Sequence, residues 1–592
     1  MKTLNLRKLV SSLTLVALAT GSVLIGSACT TKRADSGNTL NLVSTAKIKG
    51  IDPAHADDLY SGLEVGRVFE GLLQYSYLKR PYVLEPLLAE SMPEMGADGK
   101  TYTIHLKKGV LFQDDKAFKA TQGKGREMTA EDVVFTFKRL ADPKLSSAGW
   151  WLIDGKIVGI NEWHDAATKA GKADYAAAVE GLKVIDPHTV QIKLNQHSFQ
   201  FLYTLAMPQA GIVPHEAVEL YGDEFLNHPV GTGPFKLEDF NPASKISYVR
   251  NPTYRKEVFP SEGEAGDKEA GLLADAGKPL PFADRVVVQI ITETQPQWLN
   301  FLQGKLDVSP IPKDNFAQAI VGQELSPELK AKNMKLHKMA QIEVTHTTFN
   351  MADPIVGKNR LLRQAISTAF DQTAYNETFY NGRAIEAQGP IPPGLAGYDP
   401  SFKNPYRQFN LAKAKELMSK AGYPEGKGLP VLEYLTLADS TSRQGTEFFE
   451  RALAPLGIKL KVSTFSWPEF NAALKNKKGQ MWSFAWGADY PDAENFLQLF
   501  YSKNMSPGPN DSNYSNPEFD RMYEKSLTMK DSPERTALYQ SMVKVLVEDC
   551  PWIFDAHRLA FTLTQPWIKN YKPHDLDHGR SKYLRIDGSL KK

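Results

Sequence analysis

DGKTYTIHL, residues Asp98–Leu106, sets Thr101, Thr103 and His105 on one side of an extended chain and Tyr102, Ile104 and Leu106 on the other. That alternation is what a half-buried strand requires. GADGKT, from Gly96, has some letters of a phosphate loop, but its glycine spacing does not match GxxxxGK[ST] and it reads as the turn before the strand. The same alternation returns in TVQIKL (Thr189–Leu194), KISYVR (Lys245–Arg250), RVVVQI (Arg285–Ile290) and IKLKVSTF (Ile458–Phe465). Between these lie segments of helical spacing. RQAISTAFDQTAYNETFY, from Arg363, keeps Ile366, Ala369, Phe370 and Tyr375 to one face; LAKAKELMSKAG, from Leu411, does so with Ala414 and Leu417 and is stopped by Gly422; ERTALYQSMVKVLVED, from Glu534, is a third amphipathic helix. Interleaved strands and helices predict an α/β protein, and 592 residues predict more than one lobe.

The N-terminus carries Lys2, Arg7 and Lys8 before an uncharged apolar run that closes on Gly26, Ser27 and Ala28. This is the pattern of a secretory signal peptide spanning 1–28. Removing its three basic residues takes the formal net charge from +2 to −1. Neither that balance nor any basic stripe suits a nucleic-acid binder. Cys29 follows the cleavage site, as in the lipobox of bacterial lipoproteins, with Gly26 where a leucine is usual; it is expected to be lipidated, with a free thiol as the alternative. Cys550 is the only other cysteine, so acylation of Cys29 excludes an intrachain disulfide.

Common catalytic signatures are missing. The GTG of VGTGPF is followed by Lys236 where a dinucleotide fingerprint needs its third glycine, and no GxSxG, HExxH or CxxC occurs. His574, Asp575, Asp577 and His578 in HDLDH are the best candidates for a divalent metal, but the run reads better as a solvated loop, and no metal or other cofactor is expected. PSEGEAGDKEAGLLADAGKP (Pro260–Pro279) reads as an exposed excursion between strands.

Many blocks then fall in one family's order: DPAHADD (Asp52), VFEGLL (Val68), EPLLAES (Glu85), DGKTYTIHLKKGVLFQDD (Asp98), MTAEDVVFTFKRLADP (Met128), VGTGPFKLEDF (Val230), RNPTYR (Arg250), LLRQAISTAFDQ (Leu361), GPIPPG (Gly389), FNLAKAKELMSKAGYP (Phe409) and YSNPEFDRMYEKSL (Tyr514). The chain resembles the extracytoplasmic solute-binding proteins of family 5, the oligopeptide- and dipeptide-binding group of bacterial ABC importers. FKATQGKGRE (Phe118–Glu127) and the Pro260–Pro279 excursion depart from the pattern. The resemblance implies an α/β, two-lobed periplasmic binding protein of class II with an extra subdomain on the first lobe. Lobe 1 would take 29–73, 207–309 and 555–592, the subdomain 74–206 and lobe 2 310–554, with two crossover strands between the lobes.

It also gives a meaning to AWGADYPDAENF, residues Ala485–Phe496, where three carboxylates share twelve residues with three aromatics. By resemblance to the family segment W-x-x-D-Y-x-[DE], Asp489 pairs with the α-ammonium of a bound peptide, with Trp486 and Tyr490 as apolar walls. A peptide amine with pKa near 8 is protonated at neutral pH, and a carboxylate in a closed cleft neutralises it. Arg443 is the candidate for the peptide carboxylate, or else lies on a solvated helix face. The expected function is capture of short peptides and delivery to an ABC permease served by separate ATPase subunits, by a monomer held at the periplasmic or cell-surface membrane through its N-terminal lipid. A non-peptide solute (opine, nickel complex, haem or oligosaccharide), a signalling role and a secreted hydrolase are the alternatives; an enzyme is not expected.

Overall fold

The computed structural model describes residues 38–591 except Pro81, Phe199 and Asp577. The signal segment and Cys29 therefore lie outside the described residues. Thr39–Ser44 runs parallel to Arg285–Ile290, pairing Leu40 with Val286 and Leu42 with Val288, and Lys245–Arg250 and Phe235–Asn241 complete a four-stranded sheet. A second four-stranded sheet is inserted between the first and second of these strands in sequence. Its middle strands are Thr101–His105 and Thr189–Lys193, and Tyr102, Ile104, Val190 and Ile192 are buried. The turn read at Gly96–Gly99 is present: Asp98 accepts the amides of Lys100 and Thr101 at 2.9 and 3.0 Å, and Gly99 has φ +66°. Helix Ala130–Leu140 sends Arg139 out of this subdomain to Asp52, which it grips with two bonds of 2.7 and 2.6 Å, both residues being buried.

A six-stranded sheet forms the other lobe, in the order Ile385–Glu386, Trp552–His557, Glu343–Phe349, Met481–Gly487, Leu432–Leu437, Leu460–Phe465. Helices Arg360–Ala369 and Leu411–Lys420 cover it, packing Ile366 and Leu417 with Phe349, Leu432, Tyr434 and Phe449. Asn410 caps the second of these helices by accepting the Lys413 amide, and Gly422 at φ +91° takes the left-handed turn that follows it. A long helix, Pro533–Asp549, closes the far side.

The two bodies are joined by strands that cross. Lys335–Ala340 continues through Gln341–Ile342 into Glu343–Phe349, and Trp552–His557 continues through Arg558 into Leu559–Thr564. The pair stays antiparallel on both sides of the crossing, with Ala340 opposite Leu559 and Thr345 opposite Ala556, and the Gln341 amide donates to the Arg558 carbonyl at 3.1 Å between them. Residues 311–334 do not lie on the six-stranded sheet: Ile311, Ile320, Leu325 and Leu329 pack with Trp298, Phe301, Phe561 and Leu563 beside the crossing.

Two expectations need correction, and the Pro260–Pro279 excursion, exposed over most of its length as expected, has buried anchor points. The helical segment from Arg363 is two helices, Arg360–Ala369 and Gln372–Tyr380, because Phe370 is extended and the Asp371 carboxylate caps a new start by accepting the Ala374 amide at 3.0 Å. The Pro260–Pro279 excursion is anchored. Leu272 and Leu273 pack beside Tyr77, Phe259 and Tyr583; the Lys572 ammonium donates to both Asp267 oxygens at 2.8 Å; and Asp275 accepts from Asn570 at 2.9 Å and Arg585 at 2.6 Å. HDLDH is not a solvated loop. His574 is buried with Nε2 at 3.2 Å from the Ser76 carbonyl and Nδ1 accepting the Leu576 amide, while Asp575 accepts the Ile342 amide at the crossing. Asp577 lies outside the described residues, and the His578 ring packs against helix Leu59–Val68 at Gly62. Among the described residues no group of three or more His, Cys, Asp or Glu side chains is placed to hold a metal ion, and no helix is long and apolar enough to cross a membrane.

Candidate functional site

Strand Met481–Gly487 ends at the border between the lobes and hands the chain to the 488–494 turn. In that turn each carboxylate has its own task. Asp492 accepts from Arg535 at 2.9 Å and from the Tyr539 hydroxyl at 3.0 Å, fastening the turn to helix Pro533–Asp549. Glu494 is buried and accepts the hydroxyls of Tyr490, at 2.6 Å, and Tyr523. Asp489 is left without a cation among the described residues.

Asn495 holds that third carboxylate in place. Fully buried, it accepts the Trp486 indole N–H and the Asp489 amide, both at 3.0 Å, and its own Nδ2 donates to Asp489 Oδ2 at 2.9 Å. One amide thus fixes the indole, the backbone and the carboxylate together. The protein crowds the Asp489 carboxyl although the residue keeps part of its surface exposed. Burial pushes its pKa up to about 6, against the pull of the Asn495 bond and with Glu494 adding to the rise. A carboxylate so placed is short of positive charge, and an incoming ammonium would supply it.

The other lobe brings aromatics to the same place. Tyr203 stacks on Tyr490 with centroids 5.2 Å apart and planes within 3°, and Tyr75 stacks behind Tyr203 at 6.5 Å. The buried Tyr75 hydroxyl has no hydrogen-bond partner among the described residues, and burial, with Tyr203 and Asp489 nearby, raises its pKa well above the ordinary phenol value. Elsewhere along the border Tyr60 meets Trp467 edge-on at 5.9 Å, and Ser440 donates to Glu293 at 2.6 Å.

The structure therefore brings Trp486, Asp489 and Tyr490 together at the interlobe border. Arg443 sits apart, exposed on helix Ser440–Leu453 one turn after the Ser440 contact, in no ion pair with any described residue. Sequence reasoning passed over Asn495, Tyr75 and Tyr203. Asn495 stood inside the stretch that drew attention, six residues after Asp489, whereas nothing in the local pattern links the two tyrosines to it.

The profile of the bacterial extracellular solute-binding proteins, family 5 Middle, matches residues 83–507. The chain is 26% identical over 523 residues to Heme-binding protein A of Haemophilus influenzae, covering 85% of this chain and 84% of that one. It is 27% identical over 552 residues to Di/tripeptide-binding protein 2 of Pseudomonas aeruginosa, covering 90% and 92%. Among solved structures, the periplasmic binding protein DppA of Helicobacter pylori in complex with the peptide STSA superposes with a TM-score of 0.76 at 26% identity, covering 93% of this chain and 98% of that one. The two-lobed α/β fold implied by the sequence is the fold of the molecule.

Proposed function

The chain belongs to the bacterial extracellular solute-binding proteins of family 5, and from that premise we propose that it captures short peptides between its lobes and delivers them to an ABC permease for import. One observation carries the reading: Asp489, set at the interlobe border and steadied by Asn495, has no cation of its own among the described residues. The α-ammonium of a peptide would occupy that position, and Trp486 would flank it. Charge-assisted bonds of this kind contribute about 1.5–3 kcal/mol and fix register without reading side chains. A ligand touching both lobes stabilises only the closed state, so closure follows from differential affinity. ATP hydrolysis belongs to separate subunits, and the protein itself is a binder rather than an enzyme. The lobes are assigned as the resemblance implied except at the bounds of lobe 2: with Lys335–Phe349 and Trp552–Thr564 as the crossing strands, residues 311–334 go with the first lobe and the second lobe runs from about 343 to 557.

Attachment to the membrane through an acylated Cys29 and a monomeric state are part of the same proposal. Intact-mass measurement of the exported protein tests the first, since diacylation at Cys29 adds a lipid mass that Cys29→Ser lacks. The peptide reading is tested by thermal unfolding with pools of di- to hexapeptides, each offered with a free or an acetylated N-terminus. A ligand at about 100 times its Kd stabilises by about 2.7 kcal/mol. Stabilisation by the free-amine pools alone supports the reading, and no shift with ligand-free protein counts against it. Haem is a second reading because one relative carries that name; a Soret band in natively purified protein would favour it.

A further inference from the structure

A cavity of about 270 Å³ opens on the outer flank of the six-stranded lobe, between the 385–403 segment and helix Pro533–Asp549. Ile391 and Val543 are buried in its wall, and the rings of Tyr398 and Phe402 complete an apolar lining. Two glycines let the 385–403 segment pack closely against the wall of the cavity. A Cβ on Gly389 would lie 2.9 Å from Val543 Cγ1, and one on Gly397, whose φ is +96°, would lie 3.0 Å from both Ile391 Cδ1 and Tyr539 Cβ. The cavity's volume exceeds the roughly 150 Å³ of one that admits benzene, and its lining mixes apolar with polar groups, so there is room for an apolar side chain beside polar contacts.

Its rim carries both signs of charge. Glu386, Asp399, Lys403 and Lys544 all line it, and neither lysine forms an ion pair with a described residue. Thr373 occupies one oxygen of Glu386, and Ser401 donates twice to a single oxygen of Asp399, so each carboxylate keeps an oxygen to offer. Ser401, and more weakly Lys544, hold the Asp399 carboxyl below its ordinary range, yet Asp399 and Lys544 do not close into an ion pair. Two acids and two free ammonium groups around an apolar floor match a ligand with one charge of each sign beside an apolar group.

We propose that this cavity is a second binding site, for a small zwitterion with an apolar side chain such as a free aromatic or branched-chain amino acid. Its ammonium meets Asp399 or Glu386, its carboxylate meets Lys544 or Lys403, and its side chain fills the space beside Val543. The site has a route to the interlobe border: the helix that supplies Val543 and Lys544 also supplies Tyr539, which packs against Gly397 and bonds Asp492 in the turn carrying Asp489.

Calorimetry with L-phenylalanine on the full-length mature protein tests this. The expected result is one saturable site that Asp489→Asn leaves unchanged, that Lys544→Glu weakens by about tenfold or more, and that Val543→Trp abolishes by filling the cavity. N-acetylphenylalanine and phenylalaninamide, each lacking one charge, are expected to bind at least tenfold more weakly. Lys544 is exposed, so its substitution keeps the test valid even if Val543→Trp fails to fold. Loss of binding in Asp489→Asn would place phenylalanine in the interlobe cleft and overturn the proposal. So would equal binding of the capped forms, equal binding by Lys544→Glu, or no binding at all.

Discussion

Asp489 is a carboxylate whose surroundings oppose its charge. With a pKa of about 6 against an ordinary 3.8, it favours its protonated form in the folded protein, so its cost to stability is present above about pH 6 and fades as pH falls toward the unfolded value. A bound ammonium reverses the preference. Affinity for free-amine peptides is therefore expected to be highest near pH 7, to fall about twofold by pH 8 as the amine loses its proton, and to decline below about pH 6, approaching tenfold per pH unit; Asp489→Asn should remove the acid slope, and an unchanged affinity at pH 5 would contradict the assignment. Asn495→Ala releases the Trp486 indole and the Asp489 carboxylate at once. Leaving buried polar groups unpaired should cost about 1–3 kcal/mol in thermal unfolding and weaken peptide binding as well. Asp489, Trp486 and Tyr490 drew attention in the sequence through their resemblance to W-x-x-D-Y-x-[DE], and the structure brings them together at the end of strand Met481–Gly487 and the turn after it. Asn495 was not legible, since an asparagine at a helix start reads as an ordinary polar residue until its three bonds are seen, and Tyr75 and Tyr203 reach the site only through the packing of separate lobes.

At the level of elements, strands were legible wherever one face is buried. TYTIHL and TVQIKL pair with each other, Tyr102 opposite Ile192, because alternation fixes both face and register. The segment 363–380 was misread as one helix because periodicity runs on through Phe370 and Asp371, whereas the break depends on a cap that offers the backbone another partner. The Pro260–Pro279 segment was legible as an exposed connection from its composition, but its anchors, Lys572 and Arg585, are supplied by the C-terminal segment and leave no local signal. That packing has a measurable consequence. Asp267→Ala takes one of two carboxylates from the buried Lys572 ammonium, which keeps Glu264 at 3.0 Å and the Leu78 carbonyl, so the cost is expected to be about 1–3 kcal/mol. A fall in the melting temperature with peptide specificity intact is the expected outcome; a melting curve like that of the wild type would mean that the Lys572–Asp267 anchor carries no stability.

For the whole molecule, the two strands through Gln341–Ile342 and Arg558 are the continuous β-connections across the crossing, and side-chain contacts such as Ser440 with Glu293 and Tyr203 with Tyr490 span the border on either side. Opening requires those contacts to part while the strand pair bends, so peptide should lower the radius of gyration in solution scattering, and Glu293→Ala should raise it in the absence of peptide. The account rests above all on the pairing of Asp489 with a peptide ammonium, and a double-mutant cycle by calorimetry reads that pairing directly. A tripeptide and its N-acetylated form are titrated into the wild type and into Asp489→Asn at neutral pH. The predicted result is a loss of about 1.5–3 kcal/mol on either change alone and little further loss when both are made. Equal losses from Asp489→Asn for the free and the acetylated peptide would mean that the carboxylate never meets the amine, and would contradict the account.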